Sequence, residues 1–242
     1  MALIQVTPTQ DETDRLMTMA AKSNGKISGL VGWCDITDGG AEAVANLQER
    51  YKKSIINDVP LLVGLCPMLE GIQQDWLTSL ILRPVIKYMI EKKIVFEARV
   101  RHDNVHLLAK FAKQYPKLTV VLDHISKPRD HAQLDAWRKD LKILSKQSKN
   151  VYCKMSGMYC EVTKDFGRNL DMAEVMPRVA PMLNHMIKCF GSKRLMWSSD
   201  CPAAIRTHQE WNNFTSQCFE GLTTNQLIDI FFGNASKIYT PK

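Results

Sequence analysis

Residues 94–125 read IVFEARVRHDNVHLLAKFAKQYPKLTVVLDHI, and the reading of this stretch decides the fold. IVFEARV is a strand with few polar positions, VHLLAKFAKQY repeats its apolar residues at helical spacing, and LTVVLDHI returns to a strand. Two strands joined through a helix predict a right-handed crossover between parallel neighbours. The nearly apolar strands suit a sheet whose outer face is covered by helices.

The same alternation extends in both directions. Upstream, MALIQV, ISGLVGWCDI and LLVGLCPM read as strands, with helices over TPTQDETDRLMTMAA, AEAVANLQERYKKSII and Arg83–Lys92. Thr9 and Glu12 have the spacing of a capping box, which places a helix start at the turn between them. Downstream come a helix over DAWRKDLKILSKQS, the strand VYCKMSGM, a helix near Met182–Phe190 and the strand RLMWSSD. NQLIDIFFGNASKIY closes the chain with one or two short helices. Strand starts fall near positions 2, 28, 61, 94, 119, 151 and 195.

Seven strand–helix units are therefore visible, where a (β/α)8 barrel needs eight and typically about 250 residues. The prediction is an α/β fold of the (β/α)8 TIM-barrel type over one domain, residues 1–242, with its first strand missing or replaced. A seven-stranded variant or an open sheet is the alternative. The sequence has neither GxGxxG nor GxxxxGK[ST], so a nucleotide-binding doubly wound sheet loses its usual support.

Composition narrows the function class. Hydrophobic residues make up 45% and charged residues 24%, which excludes disorder and coiled coil for the whole chain. The net charge of +7 comes from scattered lysines and arginines rather than a basic stripe, so no nucleic-acid partner is expected; anionic small molecules would be welcome in such a field. No apolar run is long enough to span a membrane. Seven cysteines in neither a CxxC pair nor a disulfide framework, with no signal peptide, point to reduced thiols in the cytoplasm.

A barrel does its chemistry at the carboxyl ends of its strands. Asp200, at the polar end of RLMWSSD, is the candidate general base or single-metal ligand; the alternative is a strand-end cap. His124 is the candidate imidazole for polarising a carbonyl, moving a proton or binding metal, against a structural histidine held by a backbone carbonyl. If the strand continues, Asp123 and His124 point to opposite faces. Arg101 and Lys127 are candidate partners for a substrate carboxylate, and Arg99 shares the strand parity of Glu97 and Arg101; a salt bridge between loops is the alternative for the arginines. Trp33 offers an apolar wall, and Ser156 with Gly157 a hydroxyl and backbone N–H groups. With no Gly-x-Ser-x-Gly elbow, a serine nucleophile has little support, and Cys66 and Cys201 read as passive thiols.

Six ordered stretches, LVGLCPMLEGIQQDWL, IVFEARV, LTVVLDHISKP, NVYCKMSGM, FGSKRLMWSSDCP and FGNASKIY, resemble the amidohydrolase-related lactonase family, which includes fuconolactonase-like enzymes and pyrone-dicarboxylate lactonases. The resemblance runs from VGWCDI to the carboxyl terminus. It implies a (β/α)8 barrel that hydrolyses a lactone of a sugar acid or related carboxylic acid. The DHxxKP histidine falls on His124 and the SD-x-P aspartate on Asp200, which the family would use to polarise the lactone carbonyl and to activate water. Some members use one divalent ion, often zinc, and the pyrone-dicarboxylate enzymes use none.

The departures matter as much. The sequence has no His-x-His, the family's first-strand motif, and MALIQV resembles the family's second strand. Cys66–Pro67 stands where many relatives carry Arg-Pro, and Asn104 where histidine is frequent. Two readings stay open: a shortened chain with an impaired site, or a metal-independent reaction or binding role built on the remaining groups. The expected cofactor is none or one weakly bound divalent metal, with zinc as the candidate. The expected partner is a small-molecule lactone or carboxylic acid, with a homodimer as the candidate assembly. A decarboxylase of the same superfamily and a catalytically impaired interaction subunit are the alternative functions.

Overall fold

The computed structural model describes residues 1–68, 75–126, 131–158, 172–201 and 208–241. Seven strands form one parallel sheet in chain order: β1 (Ala2–Ile4), β2 (Gly29–Gly32), β3 (Leu62–Leu65), β4 (Val95–Ala98), β5 (Val120–Leu122), β6 (Val151–Met155) and β7 (Leu195–Trp197). All seven lie where the alternation of the sequence predicted them. The connecting helices are α1 (Gln10–Ala21), α2 (Gly40–Lys53), α3 (Arg83–Lys92), α4 (Val105–Gln114), α5 (His131–Gln147), α6 (Met172–Phe190), α7 (His208–Cys218), α8 (Thr224–Ile228) and α9 (Asn234–Tyr239). No helix among the described residues is long and apolar enough to cross a membrane.

The period of two along each strand divides the core into an outer and an inner part. Phe96, Leu122 and Cys153 face outward into the helix layer, where the Phe96 ring lies 4.7 Å from that of Phe111 on α4. Val31, Val63, Val95, Val121 and Met196 face inward, and Ile238 and Tyr239 of α9 pack among them. The last helix thus supplies part of the barrel interior.

Local signals explain most element boundaries. Thr9 caps α1 by accepting the Glu12 N–H at 3.3 Å. The reciprocal half of the expected box is absent, because the Glu12 carboxylate accepts from the N–H groups of Val6 and Thr7 instead, at 3.4 and 2.7 Å. The helix predicted through SII stops at Lys53; Ile55–Ile56 pairs antiparallel with Val59–Pro60 around Asn57 and Asp58, both left-handed (φ 50° and 63°), as a tight hairpin turn requires. Helix α6 begins at Met172, well before Met182, and runs through Pro177 and Pro181.

Among the described residues β1 pairs only with β2, and β7 only with β6. The chain's last segment lies across the opening between them. Phe231 stacks on Trp197 of β7 with ring centres 5.8 Å apart. Ala235, Ser236 and Tyr239 line a cleft of about 210 Å³ whose other wall is Met1, Ala2 and Ser28. The crossing is close: a Cβ at Gly29 would come within 2.5 Å of the Tyr239 carbonyl oxygen, so β2 requires glycine there. Asn234 fixes the start of α9 by donating from Nδ2 to the carbonyls of Ser192 and Leu195, each at 2.7 Å. Asn234→Ala removes both of these bonds, and urea unfolding is expected to show a loss of about 1–3 kcal/mol.

Candidate active site

The carboxyl ends of β5, β6 and β7 converge on one imidazole. Strand β5 ends at Leu122, and in the turn that follows His124, Ile125 and Ser126 all take left-handed backbone, with φ of 50°, 47° and 61°. The strand does not continue through Asp123, so the condition under which Asp123 and His124 would point apart is not met. The left-handed residue breaks strand alternation, and His124 Nε2 lies 3.2 Å from Asp123 Oδ2. Its Nδ1 lies 3.0 Å from Ser156 Oγ and 3.6 Å from Asp200 Oδ1. Asp200 is also left-handed, at φ 52°.

Such backbone costs about 1–3 kcal/mol per residue, and a β-branched residue such as Ile125 is especially averse to it. The turn is held from outside. The buried Trp137 indole N–H donates to the Ile125 carbonyl at 2.8 Å, and the Trp211 indole to the Ser198 carbonyl, just before Asp200, at 3.0 Å. Gly157, at φ +76°, gives the imidazole its room: a Cβ there would sit 2.7 Å from His124 Cβ.

The other predicted residues fall around this centre or apart from it. Trp33 is half-buried against the inner core cluster, and its backbone N–H donates to Gln5 Oε1 at 2.9 Å. Arg101 is half-buried at the entry to the turn His102–Asn104, where its carbonyl accepts the Asn104 N–H at 2.9 Å. In that turn His102 Nδ1 and Asn104 Oδ1 are buried without a hydrogen-bond partner. Lys127 lies outside the described residues. Burial pushes the Cys66 thiol up to about 12, so it is no thiolate. Ser156, His124 and Asp123 stand in the order of nucleophile, base and orienting acid, but Ser156 is fully buried, which suits a hydroxyl that holds the imidazole.

Metal-donor chemistry is sparse. Among the described residues no three His, Cys, Asp or Glu side chains converge as a group able to hold a metal ion. Nε2 of His124 is engaged by Asp123, so among the described residues this pair offers Nδ1 and the Asp200 carboxylate, one donor short of the three protein ligands usual in a catalytic zinc site.

Beneath the imidazole lies a sealed ionic floor that the sequence reading missed. Lys154 on β6 is ion-paired with Glu97 on β4 and sits 3.3 Å from Asp123 Oδ1. The Tyr239 hydroxyl donates to Glu97 at 2.8 Å. All four residues are buried. Burial is the largest single influence and acts to raise the Asp123 carboxyl, but Lys154, His124 and Arg99 together outweigh it and hold Asp123 below the usual range. For Glu97 burial wins over Lys154, helped by the Asp123 charge, and its carboxyl is pushed from 4.5 up to about 7. A raised carboxyl keeps its proton in the folded state after the unfolded chain has released it. Its contribution to stability is therefore full below 4.5 and lost as pH rises through about 7. Denaturant titrations at about pH 5 and about pH 8 are expected to show the wild type losing stability relative to Glu97→Gln as pH rises.

Comparison with known proteins identifies the family and the fold. Residues 4–240 match the model of the amidohydrolase family. The chain is 30% identical to an L-fucono-1,5-lactonase of Burkholderia ambifaria, over 98% of this chain and 78% of that one. A solved amidohydrolase from Burkholderia multivorans with bound zinc superposes with a TM-score of 0.87 at 22% identity, covering 100% of this chain and 83% of the other. A putative 2-pyrone-4,6-dicarboxylic acid hydrolase from Pseudomonas putida superposes with a TM-score of 0.71 at 18% identity, over 98% and 80% of the two chains. Seven parallel strands in chain order, a histidine–aspartate pair at their carboxyl ends and a family match over nearly every residue lead to one conclusion: the chain belongs to the amidohydrolase family and is a hydrolase.

Proposed function

We propose that this amidohydrolase opens a lactone of a sugar acid or related carboxylic acid by attack of water. One observation carries the reading: His124 Nδ1 and Asp200 Oδ1 lie 3.6 Å apart at the strand ends, with side chains 17% and 13% exposed above a closed floor. A carboxylate and an imidazole so placed divide the proton work of ester hydrolysis. Asp200 takes a proton from water as its oxygen attacks the carbonyl carbon. His124, in its protonated form and anchored through Nε2 on Asp123, donates from Nδ1 to the carbonyl oxygen as charge develops there. The same proton passes to the ring oxygen as the C–O bond breaks, and the proton on Asp200 returns to Nδ1. One water is consumed and a hydroxy acid leaves.

Trp33 supplies an apolar wall for the ring, and Arg101 and Lys127 supply charge for a substrate carboxylate. Ser156 holds Nδ1 between turnovers and releases it to the carbonyl oxygen. The substrate class draws support from the relatives named L-fucono-1,5-lactonase and from the L-rhamnono-gamma-lactonase of Scheffersomyces stipitis, 24% identical over 52% of this chain and 42% of that one. We also propose that a divalent ion is bound weakly or not at all, on the two-donor set above. A cytoplasmic location fits the free thiols of the six described cysteines.

An indicator assay of acid release over a panel of aldonolactones and a pyrone-dicarboxylate tests the reading. Asp200→Asn is expected to lower kcat by at least about 100-fold. Wild-type turnover in that variant overturns Asp200 as the base. Chelator is expected to leave the rate unchanged, and loss of activity restored by zinc overturns the metal-independent reading.

A further inference from the structure

The buried floor forms an unbroken polar path from the last helix to the imidazole. Tyr239 Oη donates to Glu97, Glu97 pairs with Lys154, Lys154 Nζ lies 3.3 Å from Asp123 Oδ1, and Asp123 Oδ2 lies 3.2 Å from His124 Nε2. Asp123 Oδ1 is buried with no hydrogen-bond partner, so the Lys154 charge is what fixes that side of the carboxylate. The other oxygen faces His124. Lys154 is in turn held by Glu97 and by the Tyr239 ring, 5.6 Å from Nζ. Because these side chains are buried, moving any member leaves its neighbour short of a partner, and the neighbour moves as well.

We infer that Tyr239 and Lys154 are positioning residues for His124: the C-terminal helix sets the imidazole's direction through Glu97, Lys154 and Asp123. Neither residue touches substrate. Asp123 turns Nε2 toward the floor and Nδ1 toward Asp200 and the barrel mouth only while Lys154 holds Asp123 in place. The hydroxyl of Tyr239 keeps Glu97, and through it Lys154, from shifting. The catalytic part of this inference rests on the proposed hydrolysis, whereas the positional part does not.

Tyr239→Phe is the discriminating variant, because it removes the hydroxyl and keeps the ring over Lys154. With the best lactone of the panel, kcat is expected to fall about tenfold with KM within about twofold. The 15N spectrum of the neutral His124 ring, assigned with His124→Gln, is expected to move from the Nε2–H tautomer toward a mixture. Asp123→Asn already cuts the path, so adding Tyr239→Phe to it is expected to change neither kcat nor the tautomer further. A purely structural role predicts a lower unfolding midpoint with wild-type kcat and tautomer, or additive effects in the double variant, and either result overturns the inference. If wild-type protein hydrolyses no lactone, the proposed function fails while the ring spectra still decide the positioning.

Discussion

A lysine ammonium held between the side chains of Glu97 and Asp123, and buried from solvent, is the constraint on which the barrel interior depends. An isolated buried charge of this kind costs several kcal/mol, and only close opposite charge offsets it. Lys154, Glu97 and Asp123 come from β6, β4 and the end of β5, so the offset exists only when three neighbouring strands share one register. A one-residue slip of any of them would turn its charged side chain outward into the helix layer around Phe96, Leu122 and Cys153. The ionic cluster therefore specifies the sheet as much as it stabilises it.

That specification is what permits strain above it. Three consecutive left-handed residues and a left-handed Asp200 persist because Trp137 and Trp211 pin the adjoining carbonyls and Asp123 is anchored from below. Strain of this kind gathers where side-chain direction matters more than backbone ease. Here it brings residues from β5, β6 and β7 onto one ring, an arrangement that extended backbone at His124 would forbid.

The strands were legible because their apolar runs and intervening helical periods are long and regular, and Asp200 and His124 because each ends such a run. Lys154 was not legible. In VYCKM it is one polar residue in a buried strand, and its meaning comes only from Glu97 and Asp123, distant in sequence and adjacent across the sheet. The turn at His124 was hidden for another reason: Ile125 is a residue that rarely adopts positive φ, so no glycine or asparagine announced it. The hairpin at Asn57–Asp58 did carry its turn signal, which the helical run before it outweighed. The start of α6 was obscured by Pro177 and Pro181, residues that normally argue against a helix interior.

The docking of α9 across the opening between β1 and β7 has a consequence for how the molecule fails. Its ties are Asn234 on two carbonyls, Ile238 and Tyr239 in the inner core, and one hydroxyl on Glu97. A fluctuation that frees this short segment uncovers the interior and withdraws the outermost link from the ionic floor while every pairing of the seven strands survives. Inactivation then need not await melting of the sheet: the free energy of undocking the last helix, a local quantity smaller than that of global unfolding, sets the temperature at which the imidazole loses its direction.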